Sequence, residues 1–102
     1  MGALIYDTTG PPITIDDRAL SHLKVVIIAK LRRQESFSVS WRHPEGQDGG
    51  RTTIWLNPSM AIRFVFDDPH PPELNRRWLA EMAESANMLG GVTLSEEQVL
   101  PE

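Results

Sequence analysis

The sequence predicts an α+β fold in which two helices pack on a mostly antiparallel sheet. Six short stretches carry strand signals, several of them alternating apolar and polar residues in the pattern of half-buried strands. Two longer stretches, one in each half of the chain, place apolar residues at helical spacing. Their order along the chain is ββαβββαβ. This order favours a single sheet layer with both helices packed on it.

The length and composition are those of one domain without covalent crosslinks. The chain has 102 residues, and we expect a single domain over residues 1–95 followed by an acidic tail at 96–102. It contains no cysteine, which excludes disulfides, thiolate nucleophiles and cysteine-based metal sites. The longest apolar run, Val25 to Ala29, is far shorter than the roughly 20 residues that span a bilayer. We therefore expect a cytoplasmic protein with no membrane partner.

The charge is distributed unevenly around a net value of −4. Residues 1–51 carry seven Lys and Arg against six Asp and Glu, whereas residues 52–102 carry three against eight. A duplex-binding domain usually shows a strong basic excess. The overall charge therefore argues against duplex binding, and only a local basic patch remains compatible with it.

The first third of the chain predicts two strands and a helix. Residues 3–7 and 12–16 alternate around a turn at 8–11, which favours a hairpin. Asp16 or Asp17 is expected to cap a helix that runs from about Arg18 to Gln34.

Apolar residues of the first helix cover more of its surface than in a helix that packs on one side only. On a helical wheel Val25 and Val26 fall away from the main apolar stripe. We expect the helix either to be covered on two sides or to contact a partner. The main stripe consists of Leu20, Leu23, Ile27 and Leu31, with Ile28 beside it.

Three further strands are predicted between the helices, at 36–43, 51–57 and 61–67. A polar segment at 44–50 and the turn Asn57–Pro58–Ser59 connect them, which favours an antiparallel meander. The residues expected to face inwards are Phe37, Val39 and Trp41 in the first of these strands and Ile62, Phe64 and Phe66 in the third. In the second strand Thr53, Trp55 and Asn57 face one way and Thr52, Ile54 and Leu56 the other.

The second helix is predicted to start in the proline-rich segment 67–72, because proline is tolerated in a first helical turn. Arg77 and Glu81 are expected to pair on its exposed side. Gly90 and Gly91 should end it, before a last strand at 92–94. The predicted apolar face consists of Leu74, Trp78, Met82, Ala86 and Leu89.

Four blocks of the sequence carry a family resemblance: LIY, IDDRALSHLKVVIIAKLRRQESFSVSW, GRTTIWLNPS and LNRRWLAEMAESAN. Together they resemble a family of small uncharacterised actinobacterial proteins, over the range from Ala3 to about Leu94. Members of this family are often automatically labelled "ATP-dependent DNA ligase". The resemblance implies a domain of unknown function and brings no established catalytic residues with it.

The ligase label requires a lysine nucleophile in a K-x-D-G setting. The chain has two lysines, Lys24 and Lys30. The first is followed by Val-Val-Ile and the second by Leu-Arg-Arg, so neither matches. We therefore expect no ligase activity from this chain alone.

Other enzyme classes are not favoured either. The sequence lacks a glycine-rich phosphate loop, G-x-S-x-G and H-E-x-x-H, and its three histidines are not at metal-ligand spacing. Asp67, Asp68 and His70 form the tightest polar trio, but beside three prolines they are better explained as a strand end and a helix cap. We expect no catalytic residue, no cofactor and no metal.

A set of basic residues is the candidate site for an anion or a partner. Its members at the end of the first helix have a structural explanation, because cations there complement the helix dipole. In the functional interpretation the set meets phosphate or an acidic partner. Trp41 and Trp55 would stack on bases if they faced solvent, although burial is the commoner fate of strand tryptophans. The set consists of Arg18, His22, Lys30, Arg32, Arg33, Arg42 and Arg51, of which Arg18, His22 and Arg33 share one face of the predicted helix.

These observations lead to two expectations of function. The first is a small non-enzymatic accessory module that acts through contact with an unknown protein partner or with a second copy. Two observations favour such a module: the wide apolar surface around the first helix, and the open sheet edge that short strands leave. The alternative is weak association with nucleic acid, related to DNA processing.

Overall fold

The structure is a computed structural model that describes residues 1–6, 12–43, 50–89 and 91–94, the side chains of Met88 and Leu89 excepted. The turn predicted at 8–11, most of the 44–50 connection, Gly90 and the acidic tail lie outside these residues. The α+β class and the order ββαβββαβ are confirmed. The elements are β1 (Gly2–Tyr6), β2 (Ile13–Ile15), α1 (Asp17–Arg32), β3 (Phe37–Arg42), β4 (Arg51–Leu56), β5 (Ile62–Val65), α2 (Arg76–Leu89) and β6 (Gly91–Thr93).

The strands form two three-stranded sheets rather than one. Sheet A has the order β2-β1-β5 and is antiparallel throughout. Sheet B has the order β4-β3-β6, with β3 antiparallel to β4 and parallel to β6. The predicted hairpin of β1 and β2 is therefore confirmed, whereas the expected meander of β3, β4 and β5 is wrong. After the turn at Asn57, β5 leaves β4 and pairs with β1, in a register that sets Phe64 opposite Leu4.

Helix α1 begins as predicted and buries Leu20, Leu23 and Ile27 of the predicted stripe, but its core-facing side is wider than expected. The Asp16 side chain accepts the N–H of Ala19 at 3.2 Å and caps the helix. Val26 is buried, whereas Val25 and Ile28 are exposed by 40% and 36%. The core-facing side of the helix therefore extends towards Val26 because α1 packs against β1 and also against α2. The helix is covered on two sides, and the placement of Ile28 beside the buried stripe is wrong.

Helix α2 starts later than predicted. Asn75 Oδ1 accepts the N–H groups of Arg77 and Trp78, at 3.0 and 3.3 Å, so Asn75 takes the capping role. The proline-rich segment before it is not helical, because a residue that precedes proline is driven to an extended conformation. Leu74, expected on the apolar face of the helix, is outside it and 41% exposed. The predicted pair between Arg77 and Glu81 is present at 3.5 Å.

One hydrophobic core joins both sheets and both helices. Ile27 lies inside it with no exposed surface, in the same cluster as Phe37 and Val39, as the wheel predicts. Trp41 is only partly buried and packs against the edge of this core. The buried apolar residues are Leu4, Ile15, Leu20, Leu23, Val26, Ile27, Phe37, Val39, Ile54, Leu56, Trp78, Met82, Ala86 and Val92.

Candidate functional site

His22, a member of the predicted binding set, is a core residue, so its placement on the surface is wrong. Its side chain is completely buried, and its ring centroid lies 4.5 Å from that of Trp78. Nδ1 lies 2.7 Å from the carbonyl oxygen of Arg18, and Nε2 lies 2.8 Å from the N–H of Asn75. A carbonyl only accepts and an amide N–H only donates, so Nδ1 carries the proton and Nε2 accepts. Nδ1 therefore fixes the ring to its own helix, and Nε2 joins α1 to Asn75 at the start of α2.

Arg18 also ties α1 to the segment that leads into α2. Its Nη1 donates to the backbone carbonyl of Glu73 at 3.0 Å. At the same end of the helix, Asp17 Oδ2 accepts the N–H groups of Asp67 and Asp68, at 3.0 and 2.9 Å. The first turn of α1 therefore holds both ends of the proline-rich segment.

The basic residues at the other end of α1 are split between a paired and an exposed group. The side chain of Lys30 is only 14% exposed, and Nζ lies 3.8 Å from Glu35 Oε2. Arg32 and Arg33 are exposed, with Arg33 at the C-cap of the helix. At a rise of about 1.5 Å per residue, Arg33 lies about 22 Å along the helix from Arg18.

Arg42 and Arg51 lie directly opposite each other where β3 and β4 approach their connection. Both are exposed. Arg42 is about 16 Å along β3 from Phe37, the first strand residue after α1 in the sequence. The seven predicted residues are therefore distributed over three places and do not converge on one site.

A groove that the sequence interpretation missed lies between the first half of α1 and the proline-rich segment. It has a volume of about 660 Å³. We call it the proline groove. Its apolar lining includes Val25 on the helix and Phe66 and Leu74 at the two ends of the opposite wall. Three prolines at 69, 71 and 72 complete that wall. The groove was missed because this segment was assigned to the start of α2.

Charged residues of both signs stand around the proline groove. Arg18 and Lys24 line it from α1. Asp16 lines it from the helix side and Asp68 from the side of the proline-rich segment. The ammonium of Lys24 lies 5.7 Å from the centroid of the Phe66 ring, within the range of a cation–π contact. An apolar floor with a few charged groups is the usual composition of a binding cleft.

A second exposed surface lies on sheet B, on the side turned away from the core. We call this the outer face of sheet B. Trp55 is 59% exposed there, opposite Ser38. The hydroxyls of Ser40 and Thr53 share a hydrogen bond of 2.9 Å across the strands. This face consists of Ser38, Ser40 and Arg42 from β3, Arg51, Thr53 and Trp55 from β4, and Thr93 from β6.

The described residues do not bring together a metal-binding group. Within the described ranges, His, Asp and Glu form no cluster of three or more at ligand distance. In the same part of the chain, no helix has both the length and the apolarity to cross a membrane. Asp67, Asp68 and His70 have structural roles. Asp68 Oδ1 accepts the N–H of His70 at 2.9 Å and forms a turn. Asp67 Oδ2 lies 2.8 Å from the amino group of Met1 and forms an ion pair with it.

Comparison with known proteins identifies a family for the chain. No curated protein and no solved structure matches it. Residues 1–97 match the family model described as a domain of unknown function, DUF7882. That match spans both sheets, both helices and the two surfaces described above. The chain is therefore a member of the DUF7882 family.

Proposed function

We propose that this protein is a small non-enzymatic interaction module that binds an apolar segment of a protein chain in the proline groove. The observation that carries the proposal is the exposure of apolar side chains along one continuous surface. Val25 and Leu74 line the groove with 40% and 41% of their surface exposed. Ile28 lies one helical turn beyond Val25 and extends the surface along α1.

The chemistry of the groove fits a peptide better than a small polar substrate. Its lining includes three prolines with Phe66, Leu74 and Val25, which stabilise a ligand through burial of apolar area. The helix side carries Arg18 and Lys24 together with Asp16 and Asp17, and the opposite side carries Asp68, so the groove offers charges of both signs to a bound segment. Asp17, through Oδ2, and His22, through Nε2, hold the groove in shape by backbone hydrogen bonds.

Binding of a fluorescent apolar anion tests whether the groove accepts an apolar group. We expect anilinonaphthalene sulfonate to bind, with its rings in the groove and its sulfonate near Arg18 or Lys24. Replacing Val25 and Leu74 together by serine should weaken binding about tenfold or more. The matched control is Ala29→Ser, an exposed change on α1 outside the groove. Equal binding by both variants, or no binding at all, would contradict the proposal.

The oligomeric state then shows whether the groove binds a second copy of the chain or a different protein. If the occupant is a second copy, light scattering across a concentration series should show association that Val25→Ser with Leu74→Ser abolishes. If association is absent or survives these changes, the occupant of the groove is a different protein. Backbone amide shifts of α1 and of residues 66–74 should then respond to that protein in an NMR titration.

A second candidate function is weak association with single-stranded nucleic acid on the outer face of sheet B. The specific observation is that Trp55 is exposed on the same face as Arg42 and Arg51. An exposed tryptophan stacks on bases and arginines attract phosphates. Binding of labelled single- and double-stranded DNA at low and moderate salt is the test. Two phosphate contacts predict a slope of about −1.4 in the log–log salt plot on single strands, and no binding at low salt would exclude this function.

A further inference from the structure

Strand β4 is the longest edge strand among the described residues. It has six residues, whereas the other edge strands β2, β5 and β6 have three, four and three. An edge strand presents unpaired backbone donors and acceptors that can pair with another strand. Strand β4 contains neither proline nor lysine, the residues that commonly block such pairing.

The register of β3 and β4 determines which backbone groups of β4 face outwards. The N–H of His43 donates to the carbonyl of Gly50 at 2.9 Å, so this pair is hydrogen-bonded across the strands. Hydrogen-bonded and non-hydrogen-bonded pairs alternate in an antiparallel ladder. Thr52, Ile54 and Leu56 therefore bond to β3. Arg51, Thr53 and Trp55 direct their N–H and C=O groups to the free edge.

We propose that β4 pairs antiparallel with β4 of a second copy, with Thr53 on the twofold axis. The proposal names one partner for the contact function above, but at a surface separate from the proline groove. In this arrangement Thr53 opposes Thr53 of the second copy, and Arg51 opposes Trp55 of the second copy. Sheet B then continues through the axis as a six-stranded sheet.

The positions of Arg51 and Trp55 make the strand complementary to itself. They lie two residues on either side of Thr53, and both project from the outer face. Within one chain they are about 13 Å apart along the strand. Across the proposed axis they become direct neighbours, where a guanidinium over an indole ring gains a cation–π contact. The twofold symmetry forms this contact twice.

Backbone geometry favours the register centred on Thr53. A symmetric antiparallel pair must oppose residues of the same face, so the axis passes through a residue, and Thr53 and Ile54 are the two nearest the centre of the strand. With Thr53 on the axis, every outward N–H and C=O of Arg51, Thr53 and Trp55 finds a partner. With Ile54 on the axis, Arg51 would oppose Asn57, which lies beyond the end of the strand. The first register therefore uses the whole edge.

A cysteine introduced at the axis tests the register. The chain has no cysteine of its own, so a single substitution gives an unambiguous crosslink. Opposed residues of a hydrogen-bonded pair have Cα atoms about 5.5 Å apart, within the range of about 4.4–6.8 Å for a disulfide. Under mild oxidation at micromolar concentration, we expect Thr53→Cys to form a disulfide dimer. The matched control is Thr93→Cys, an exposed threonine on β6, which should remain monomeric.

Dimer strength tests the cross-axis contact without any crosslink. Sedimentation equilibrium should give a dimer for the wild type, weakened about fivefold or more by Trp55→Ala or Arg51→Ala, since each change removes two cation–π contacts. Arg63→Ala on sheet A is the control and should leave the dimer constant unchanged. Thr53→Pro should abolish the dimer and keep the circular dichroism of the wild type, because the N–H that it removes faces the free edge.

The outcomes separate this inference from the proposed function. A wild-type monomer at all concentrations, or equal crosslinking of Thr53→Cys and Thr93→Cys, would overturn it. Loss of the dimer with Val25→Ser and Leu74→Ser, but not with Trp55→Ala, would also overturn it and would place the second copy in the groove. Failure of the β4 dimer leaves dye binding by the groove unaffected, so the two ideas fail independently.

Discussion

His22 Nε2 accepts a 2.8 Å hydrogen bond from the backbone N–H of Asn75, a residue 53 positions further along the chain. Asn75 in turn caps α2 through its side chain. A buried imidazole of α1 therefore fixes the residue at which α2 begins. Because the same ring contacts Trp78 in the first turn of α2, His22 sets the position of one helix on the other.

Removing this imidazole should destabilise the fold strongly. His22→Ala leaves the N–H of Asn75 without its acceptor and opens a cavity beside Trp78, so we expect a loss of about 2–4 kcal/mol in the free energy of unfolding. His22→Gln should lose less, because its side-chain oxygen can accept the same hydrogen bond. Urea unfolding measures both, with the exposed His70→Ala as control. Equal stability of the His22→Ala and His70→Ala variants would contradict the role assigned to His22.

Asp17 should matter for its acceptor oxygen more than for its charge. Oδ2 accepts two consecutive backbone N–H groups, from Asp67 and Asp68. Asp17→Ala leaves both donors unpaired and should lower the free energy of unfolding by about 1–3 kcal/mol. Asp17→Asn keeps an oxygen acceptor and should lower it by less than half as much. If Asp17→Asn lowers the free energy of unfolding as much as Asp17→Ala in urea unfolding, the charge of the carboxylate is what stabilises the fold.

The Ile27→Ala and Arg33→Ala variants should differ clearly in their free energy of unfolding, measured with urea. Ile27 is completely buried in the shared core, and truncation of such a residue to alanine typically lowers stability by about 2–5 kcal/mol. Arg33 is exposed at the end of α1, so Arg33→Ala should lower it by less than about 1 kcal/mol. A larger effect at Arg33 would mean that its guanidinium belongs to a structural network.

The amino group of Met1 should give the fold a pH dependence in mild alkali. Its hydrogen bond and charge interaction with Asp67 Oδ2, 2.8 Å away, raise its pKa above the ordinary value of 8.0. A group whose pKa is raised by folding stabilises the fold fully below its unfolded pKa, and this contribution disappears as the pH rises through the folded pKa. The difference in melting temperature between the wild type and Asp67→Asn should therefore shrink from about pH 7 to about pH 10. A difference that is constant over this range would show that the ion pair does not contribute.

Neither lysine should form a covalent adenylate. Lys24 is exposed at the proline groove and interacts with the ring of Phe66. Lys30 lies beside Glu35 at the other end of α1. Incubation with radiolabelled ATP and magnesium, followed by denaturing electrophoresis, should leave the protein unlabelled. A label that disappears in Lys24→Arg would instead identify a nucleotidyl-transfer nucleophile.

Local patterns were sufficient to predict the elements of this fold but not the partners of its strands. The alternation in β3 correctly placed Phe37 inside, and the alternation in β4 correctly set Ile54 and Trp55 on opposite faces without showing which of the two is buried. Strand β5 pairs with β1 in a register that sets Phe64 opposite Leu4, a relationship between distant residues that no local pattern contains. A short turn such as the one at Asn57 favours a hairpin in general, and here the apolar face of β1 provided a better partner for β5.

The surface placement of His22 was wrong because charge alone does not distinguish a surface residue from a buried polar contact. His22 has the spacing of an exposed residue relative to the main stripe of α1, but α2 covers that side of the helix. The signal available was Val26, which lies one turn after His22 on the same side and is also buried. No sequence pattern indicates the proline groove, because the groove forms where α1 approaches a segment about 50 residues further along the chain.

The two sheets are interleaved along the chain, and this constrains the order in which the protein can fold. Sheet A is completed only when β5 reaches β1, and sheet B only when β6 reaches β3. Both pairings join residues that are more than 50 positions apart, so each closes a long loop, and loop closure of this kind slows folding. A nascent chain that ends after β4 would hold two isolated hairpins, which are marginal in water. Sheet A can therefore form only after the residues up to Val65 have left the ribosome, and sheet B only after β6, which ends at Thr93, has followed.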